Sequence, residues 1–192
     1  MKNLAVSLCL LAMFLPFAKS QEIESKNGWY LPAKGKIRVL VVFLEVEYDN
    51  NPDRQTYQAW PKGKVPEEAA SMFDALESEN PQGKITRYFH ESSFGEYQVL
   101  GDYLPEIITI KESSINGGIS TNTLRTYVSN YLTEQGKITT QNNLSYNDFD
   151  LWTNNEKQGL PKVNEADGNL DHVMLILRNF HGLDLSRGFA SQ

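Results

Sequence analysis

KITRYFHESSFGEYQVLGDYL, residues 84–104, changes its hydrophobic period part-way along. Ile85, Tyr88 and Phe89 stand at i, i+3 and i+4, which places all three on one face of a helix. Ser92, Ser93 and Gly95 then stop it, because serine side chains compete for backbone hydrogen bonds and glycine weakens a helix. From Tyr97 the pattern is that of a strand, through Val99 to Tyr103, with a bend expected at Gly101. A helix that turns on glycine straight into a strand marks a joint between a helical layer and a sheet.

Working outward, Ile37–Tyr48 (IRVLVVFLEVEY) is apolar from 37 to 44 except for Arg38, as in a strand covered on both faces. Asp49–Lys64 is a long loop carrying Tyr57 and Trp60. Pro66 suits the first turn of a helix, with Glu67 and Glu68 near its positive end and Ala69, Met72, Phe73 and Leu76 as its inward stripe. Glu106–Lys111 reads as a further strand, and Asn116-Gly117-Gly118 as the next turn. Ser120–Gln135 reads as a helix with Leu124, Tyr127, Val128, Tyr131 and Leu132 inward and Gly136 closing it. Residues 137–169 are polar, with a short helical turn expected at Asp148-Phe149-Asp150-Leu151-Trp152, and Leu170–Leu177 (LDHVMLIL) is a last strand. With no internal repeat or linker, the pattern predicts one α+β domain over residues 37–180, preceded by a leader (21–36, held by Trp29 and Tyr30) and followed by a loose tail (181–192).

The first twenty residues stand outside this pattern. Lys2, an apolar run from Leu4 to Phe17, and small residues at Ala18 and Ser20 make a secretory signal peptide with cleavage after Ser20, so the protein is expected to be exported. The apolar run is about fourteen residues, short of the roughly twenty that a membrane span needs, so no transmembrane segment is expected. Removing the signal from 192 residues leaves 172, enough for one domain with its own core. Cys9, the single cysteine, leaves with it, so the exported fold is expected to form no disulfide. Losing Lys2 and Lys19 takes the formal charge from −6 to −8. Nucleic acid is therefore not an expected partner, since binding phosphates needs clustered Lys and Arg.

Four groups of residues invite chemistry. Glu45 and Glu47 share one face of a strand and could serve acid–base work or a cation, but without a nearby histidine they read as a solvated strand end. Same-face neighbours of this kind give no sign of flanking a glycosidic bond. His90-Glu91 begins like H-E-x-x-H, the helical zinc motif that sets two imidazoles on one face; the fifth position is Phe94, and His172 and His181 have no ligand spacing. Asp167, Asn169 and Asp171 gather oxygens around a tight turn, either a calcium site or a turn that leads into the strand; the glutamate that an EF-type loop requires is missing, which favours the turn. Tyr57 and Trp60 would line a cleft or contact surface, or staple their loop to the body.

Taken together, IRVLVVFLEVEYD and the segment from Ile85 to Tyr97 running into Gly101-Asp102-Tyr103 resemble the secreted immune-inhibitor-A-like zinc metalloproteases, whose Y-F-x-E-S-S-Y-G segment enters a strand in this way. Asp148-Phe149-Asp150 and the stretch from Asp167 to Val173 extend the likeness over roughly residues 36–180. The resemblance implies a zincin-like mixed sheet backed by helices, a polypeptide substrate, and a zinc ion that activates water beside a glutamate base. It carries no catalytic residue and no metal ligand onto this chain, because H-E-x-x-H is nowhere in it. The expectation is the front part of such a domain, not competent alone; the alternative is a non-catalytic secreted binding or adhesion module derived from that fold.

Overall fold

Thirteen residues, Gly35–Glu47, form strand β1, around which the other elements are arranged. The computed structural model describes residues 35–50, 52–53, 57–135, 138–152 and 165–180; the expected signal peptide, Trp29 and Tyr30 of the expected leader, and the expected tail lie outside the described residues. After β1 come β2 (Tyr57–Gln58), helix α1 (Lys84–Ser92), β3 (Tyr97–Tyr103), β4 (Ile108–Lys111), helix α2 (Thr121–Gln135), β5 (Val173–Leu177) and β6 (Asn179–Phe180). β1 pairs in parallel with β3 from Gly35↔Tyr97 to Val41↔Tyr103, with β4 from Leu44↔Ile108 to Glu47↔Lys111, and with β5 from Leu40↔Val173 to Leu44↔Leu177. β2 and β6 form a separate antiparallel ribbon. The α+β fold expected from the sequence is present, with two α-helices and two sheets among the described residues.

Alternation along β1 divides the core in two. Leu40, Val42, Leu44 and Val46 face Leu124, Val128 and Leu132 of α2, together with Ile108, Ile110 and Phe149. Ile37, Val39, Val41 and Phe43 face Ala69, Phe73, Tyr97 and Val99, with Ile85 and Phe89 of α1 packed against them. Burying each such aliphatic side chain is worth roughly 1.5–3 kcal/mol, so a double-sided strand concentrates stability in a few residues. Helix α2 starts where expected, on a reciprocal cap: the Thr123 amide donates to Ser120 Oγ at 3.2 Å and the Ser120 amide to Thr123 Oγ1 at 2.9 Å.

The segment after Pro66 departs from expectation. Only a 3-10 turn forms, Glu67–Ser71, and Leu76 is 66 % exposed instead of facing inward. Neighbours claim the backbone that a helix would have used. The Asp74 amide donates to Thr86 Oγ1 at 2.9 Å, the Asp74 carbonyl accepts the Gly101 amide at 3.0 Å, and the Asp74 carboxylate accepts the Gln82 and Gly83 amides at 2.8 and 3.0 Å. Ala69 and Phe73 still reach the core, while Leu76 lies past the point where the chain straightens. The strands are shorter than their apolar runs: β4 starts at Ile108 and β5 at Val173.

The α1–β3 joint forms as the sequence predicts, with an unusual residue at its turn. The Gly95 amide donates to the His90 carbonyl at 2.8 Å and the Phe94 amide to the Glu91 carbonyl at 3.3 Å, a Schellman cap. Phe94 fills its left-handed position with φ 55° and is 96 % exposed, although glycine is the usual occupant there. Two glycines are dictated by close approach. A Cβ on Gly83 would lie 2.4 Å from the Phe73 carbonyl carbon, and one on Gly101 would lie 2.8 Å from both the Phe73 ring and the Val39 oxygen. Gly83→Ala is expected to cost the most, since backbone cannot yield, and Gly101→Ala roughly 1–3 kcal/mol; urea unfolding midpoints at constant slope measure both.

Tyr97 hides a second cost. Its ring is buried edge-on against Phe89, and its hydroxyl is buried with no hydrogen-bond partner among the described residues. Burial pushes the phenol up from 10.0 to about 12. A raised pKa means that the contribution to stability is whole below pH 10 and is lost as pH rises through about 12. Tyr97→Phe is expected to stabilise by about 1 kcal/mol at neutral pH by removing the orphaned group. It should also flatten the decline of urea stability across that alkaline window.

Candidate functional site

In open parallel sheets the carboxyl ends of the strands are where ligands are held, and here that edge gathers Glu45, Thr109, Arg178 and Asn179. Glu45 is not the solvated strand end expected from its sequence: it is 3 % exposed. Its Oε1 accepts from the Thr109 hydroxyl at 2.9 Å, its Oε2 from the Gly63 amide at 3.0 Å, and the Arg178 guanidinium lies 3.7 Å away. Arg178 Nε donates to the Trp60 carbonyl at 2.8 Å and Nη2 to Gln58 Oε1 at 3.1 Å. Asn179 continues the work of β5, its amide exchanging two 2.8 Å bonds with the backbone of Val46. Glu47 remains partly exposed and meets Lys62 at 3.8 Å, a surface pair of little worth.

The buried ion pair therefore straps the 57–64 loop to the sheet. Both partners are almost fully buried, so leaving one without the other is costly, commonly about 3–5 kcal/mol. Trp60, a candidate contact residue, is half-buried by this strap: its indole N–H donates to the Lys64 carbonyl at 2.6 Å and its ring stands edge-on to Phe43. Tyr57 is 64 % exposed and tilts against Phe180 across the β2–β6 ribbon. Arg178→Met is expected to destabilise by roughly 3 kcal/mol and to open residues 57–64 to limited proteolysis. Adding Glu45→Gln should recover part of that loss, read by urea unfolding of the single and double variants.

The oxygen-rich turn places its carboxylates on backbone amides. Asp150 Oδ1 accepts the Asp167 amide at 2.9 Å and Oδ2 the Gly168 amide at 2.7 Å. Asp171 Oδ2 accepts the Leu151 and Trp152 amides at 2.6 and 3.0 Å. Asp167 accepts from the amide and side chain of Asn169 at 3.0 and 3.1 Å. These bonds lock residues 165–171 against the 150–152 corner and so aim β5 at β1.

Local sequence pattern does not mark Asp102, Thr140 and Asn142 as a site. This carboxylate is 3 % exposed at the end of β3. It accepts hydrogen bonds from the Tyr103 amide at 2.9 Å, the Asn142 amide at 2.9 Å, Asn142 Nδ2 at 3.0 Å and the Thr140 hydroxyl. Asp102 is among the residues lining a cavity of about 240 Å³, together with Val41, Ala69, Ala70, Phe73 and Tyr103, and Gln141 and Asn142 stand at its exposed mouth. Thr140 and Asn142 lie about forty positions away, beyond any local pattern, and an aspartate inside a mostly apolar strand is the local signal.

The family model of the immune inhibitor A peptidase M6 catalytic domain matches residues 33–185, most of the 192-residue chain. The chain belongs to this family. No curated protein and no solved structure matches it. Membership makes the domain metallopeptidase-like, with polypeptide as its substrate class and zinc as the implied metal. No helix among the described residues is long and apolar enough to cross a membrane.

The described residues do not fit that zinc ion. His90 sits in the last turn of α1, which ends at Ser92, and its ring packs under Gly95. His172 lies beside β5 and its carbonyl accepts the Leu40 amide at 2.9 Å; His181 lies outside the described residues. Among the described residues no three His, Cys, Asp or Glu side chains come close enough together to hold a metal. The described residues therefore supply no ligand set for the zinc that family membership implies.

Proposed function

We propose that this chain is the front part of a secreted zinc metalloendopeptidase domain that hydrolyses peptide bonds once a zinc-bearing helix is added, and that it is not competent without that helix. The observation that carries this reading is β5. Val173, Met174, Leu175, Ile176 and Leu177 are all apolar, the composition of a strand covered on both faces, yet each is only half-buried. Among the described residues β5 pairs with β1 alone. A continuous apolar edge of this kind is a seat for further structure or an aggregation hazard. The family match, beside the lack of a ligand cluster among the described residues, supports the same reading. Export is supported by the apolar segment Leu4–Phe17 and the small residues at Ala18 and Ser20.

The decisive experiment reads the gene in frame past codon 192 and expresses the extended chain. An H-E-x-x-H downstream, with chelator-sensitive cleavage of an unfolded polypeptide by the longer chain and none by residues 21–192, is the expected result. A stop codon at 193 in an intact locus would overturn it. The second reading, a non-catalytic binding module, would then lead; it is favoured by the exposed Tyr57–Phe180 pair on a ribbon strapped in place by Arg178.

A further inference from the structure

The cavity over Asp102 has a chemistry that peptide hydrolysis does not use. Asp102 is among the residues that line it, and the described hydrogen-bond donors to its carboxylate are all neutral. They orient it and fill its lone pairs but carry no charge to offset its own. The ion pairs among the described residues involve other carboxylates, and no Lys, Arg or His lines the cavity. One wall is apolar, made by Val41, Ala69, Ala70 and Phe73. The mouth carries amides: because Asn142 Nδ2 donates to Asp102, the oxygen of the same amide is turned away from it and is left to accept. Tyr103 also lines it, and its phenol is pushed up by burial first and then by the Asp102 charge.

We propose that this cavity binds a primary alkylammonium group, the chemistry of a lysine side chain. The alkyl stem lies along Ala69, Ala70 and Phe73. The ammonium, a compact charge with three donors, meets the Asn142 and Gln141 amide oxygens and the Tyr103 hydroxyl within the field of Asp102. At about 240 Å³ the space is below the roughly 300–1,000 Å³ of drug-sized pockets, which selects a short chain. An anion would face Asp102 unshielded, and a neutral alcohol would gain nothing from the charge. The site stands on this cavity alone and holds whether or not the chain belongs to an active peptidase.

The test is a titration of the ¹⁵N-labelled 192-residue chain with n-butylammonium, n-butanol and n-butyrate, monitored by amide shifts. Saturable shifts at Ala69, Ala70, Tyr103 and Asn142, with butylammonium binding at least tenfold tighter than either analogue, are expected. Ala70→Phe fills the mouth from an exposed position without touching any hydrogen bond to Asp102 and should weaken binding tenfold or more. Asp102→Asn, where it folds, should abolish the preference for the cation. Equal binding of butanol, absence of saturable shifts, or an unaffected Ala70→Phe variant would each overturn the proposal. N-acetyl-lysine-N-methylamide decides the source of the ammonium: affinity equal to or above that of butylammonium assigns it to a polypeptide, and a tenfold loss to a free amine.

Discussion

Between Ile37 and Val46 successive side chains of β1 point alternately into two separate apolar layers, and neither layer closes without the strand. This burial on both faces sets the demands met elsewhere. Helix α2 must present Leu124, Val128 and Leu132 to one side, and α1 with Phe73 must cover the other. The backbone of β1 must find parallel partners along its length, which it does successively in β3, β4 and β5, with the Asn179 side chain serving Val46 where β5 has ended. Gly83 and Gly101 lack side chains because Phe73 has to come that close to complete its layer.

A dry core of this kind tolerates polar groups only when they are satisfied, and those groups hold the loops in place. Thr86 joins three segments through one hydroxyl, accepting from Asp74 and donating to the Val99 carbonyl at 2.7 Å. Glu45 and Arg178 strap the 57–64 loop, Asp102 holds the 140–142 turn, and Asp150 with Asp171 fixes the approach to β5. Each is a carboxylate, guanidinium or hydroxyl that bonds backbone amides or carbonyls of a distant segment. Side chains that look catalytic by type are thereby committed to architecture. Membership of a metallopeptidase family and the lack of a ligand cluster among the described residues are compatible on this view, because the described carboxylates position the sheet on which a metal centre would be built.

Local periodicity is enough to read β1, α1, α2 and the α1–β3 joint, since each depends on side chains within one or two turns of one another: Leu124, Val128 and Leu132 at helical spacing, and alternating apolar residues from Ile37 to Val46. The family is legible in the same stretch, from Tyr88-Phe89 to Gly95 and on into β3. What tertiary structure alone decided are the partners of polar residues. Nothing near Glu45 announces Arg178, 133 positions on, and so a buried ion pair reads as a solvated end. Nothing near Asp102 announces Thr140 and Asn142, and Leu76 reads as inward because the competitors for the backbone around Asp74 lie in other elements. Apolar burial repeats with the period of the backbone and leaves its trace in sequence, whereas the pairing of a buried charge depends on which distant segment the fold brings beside it.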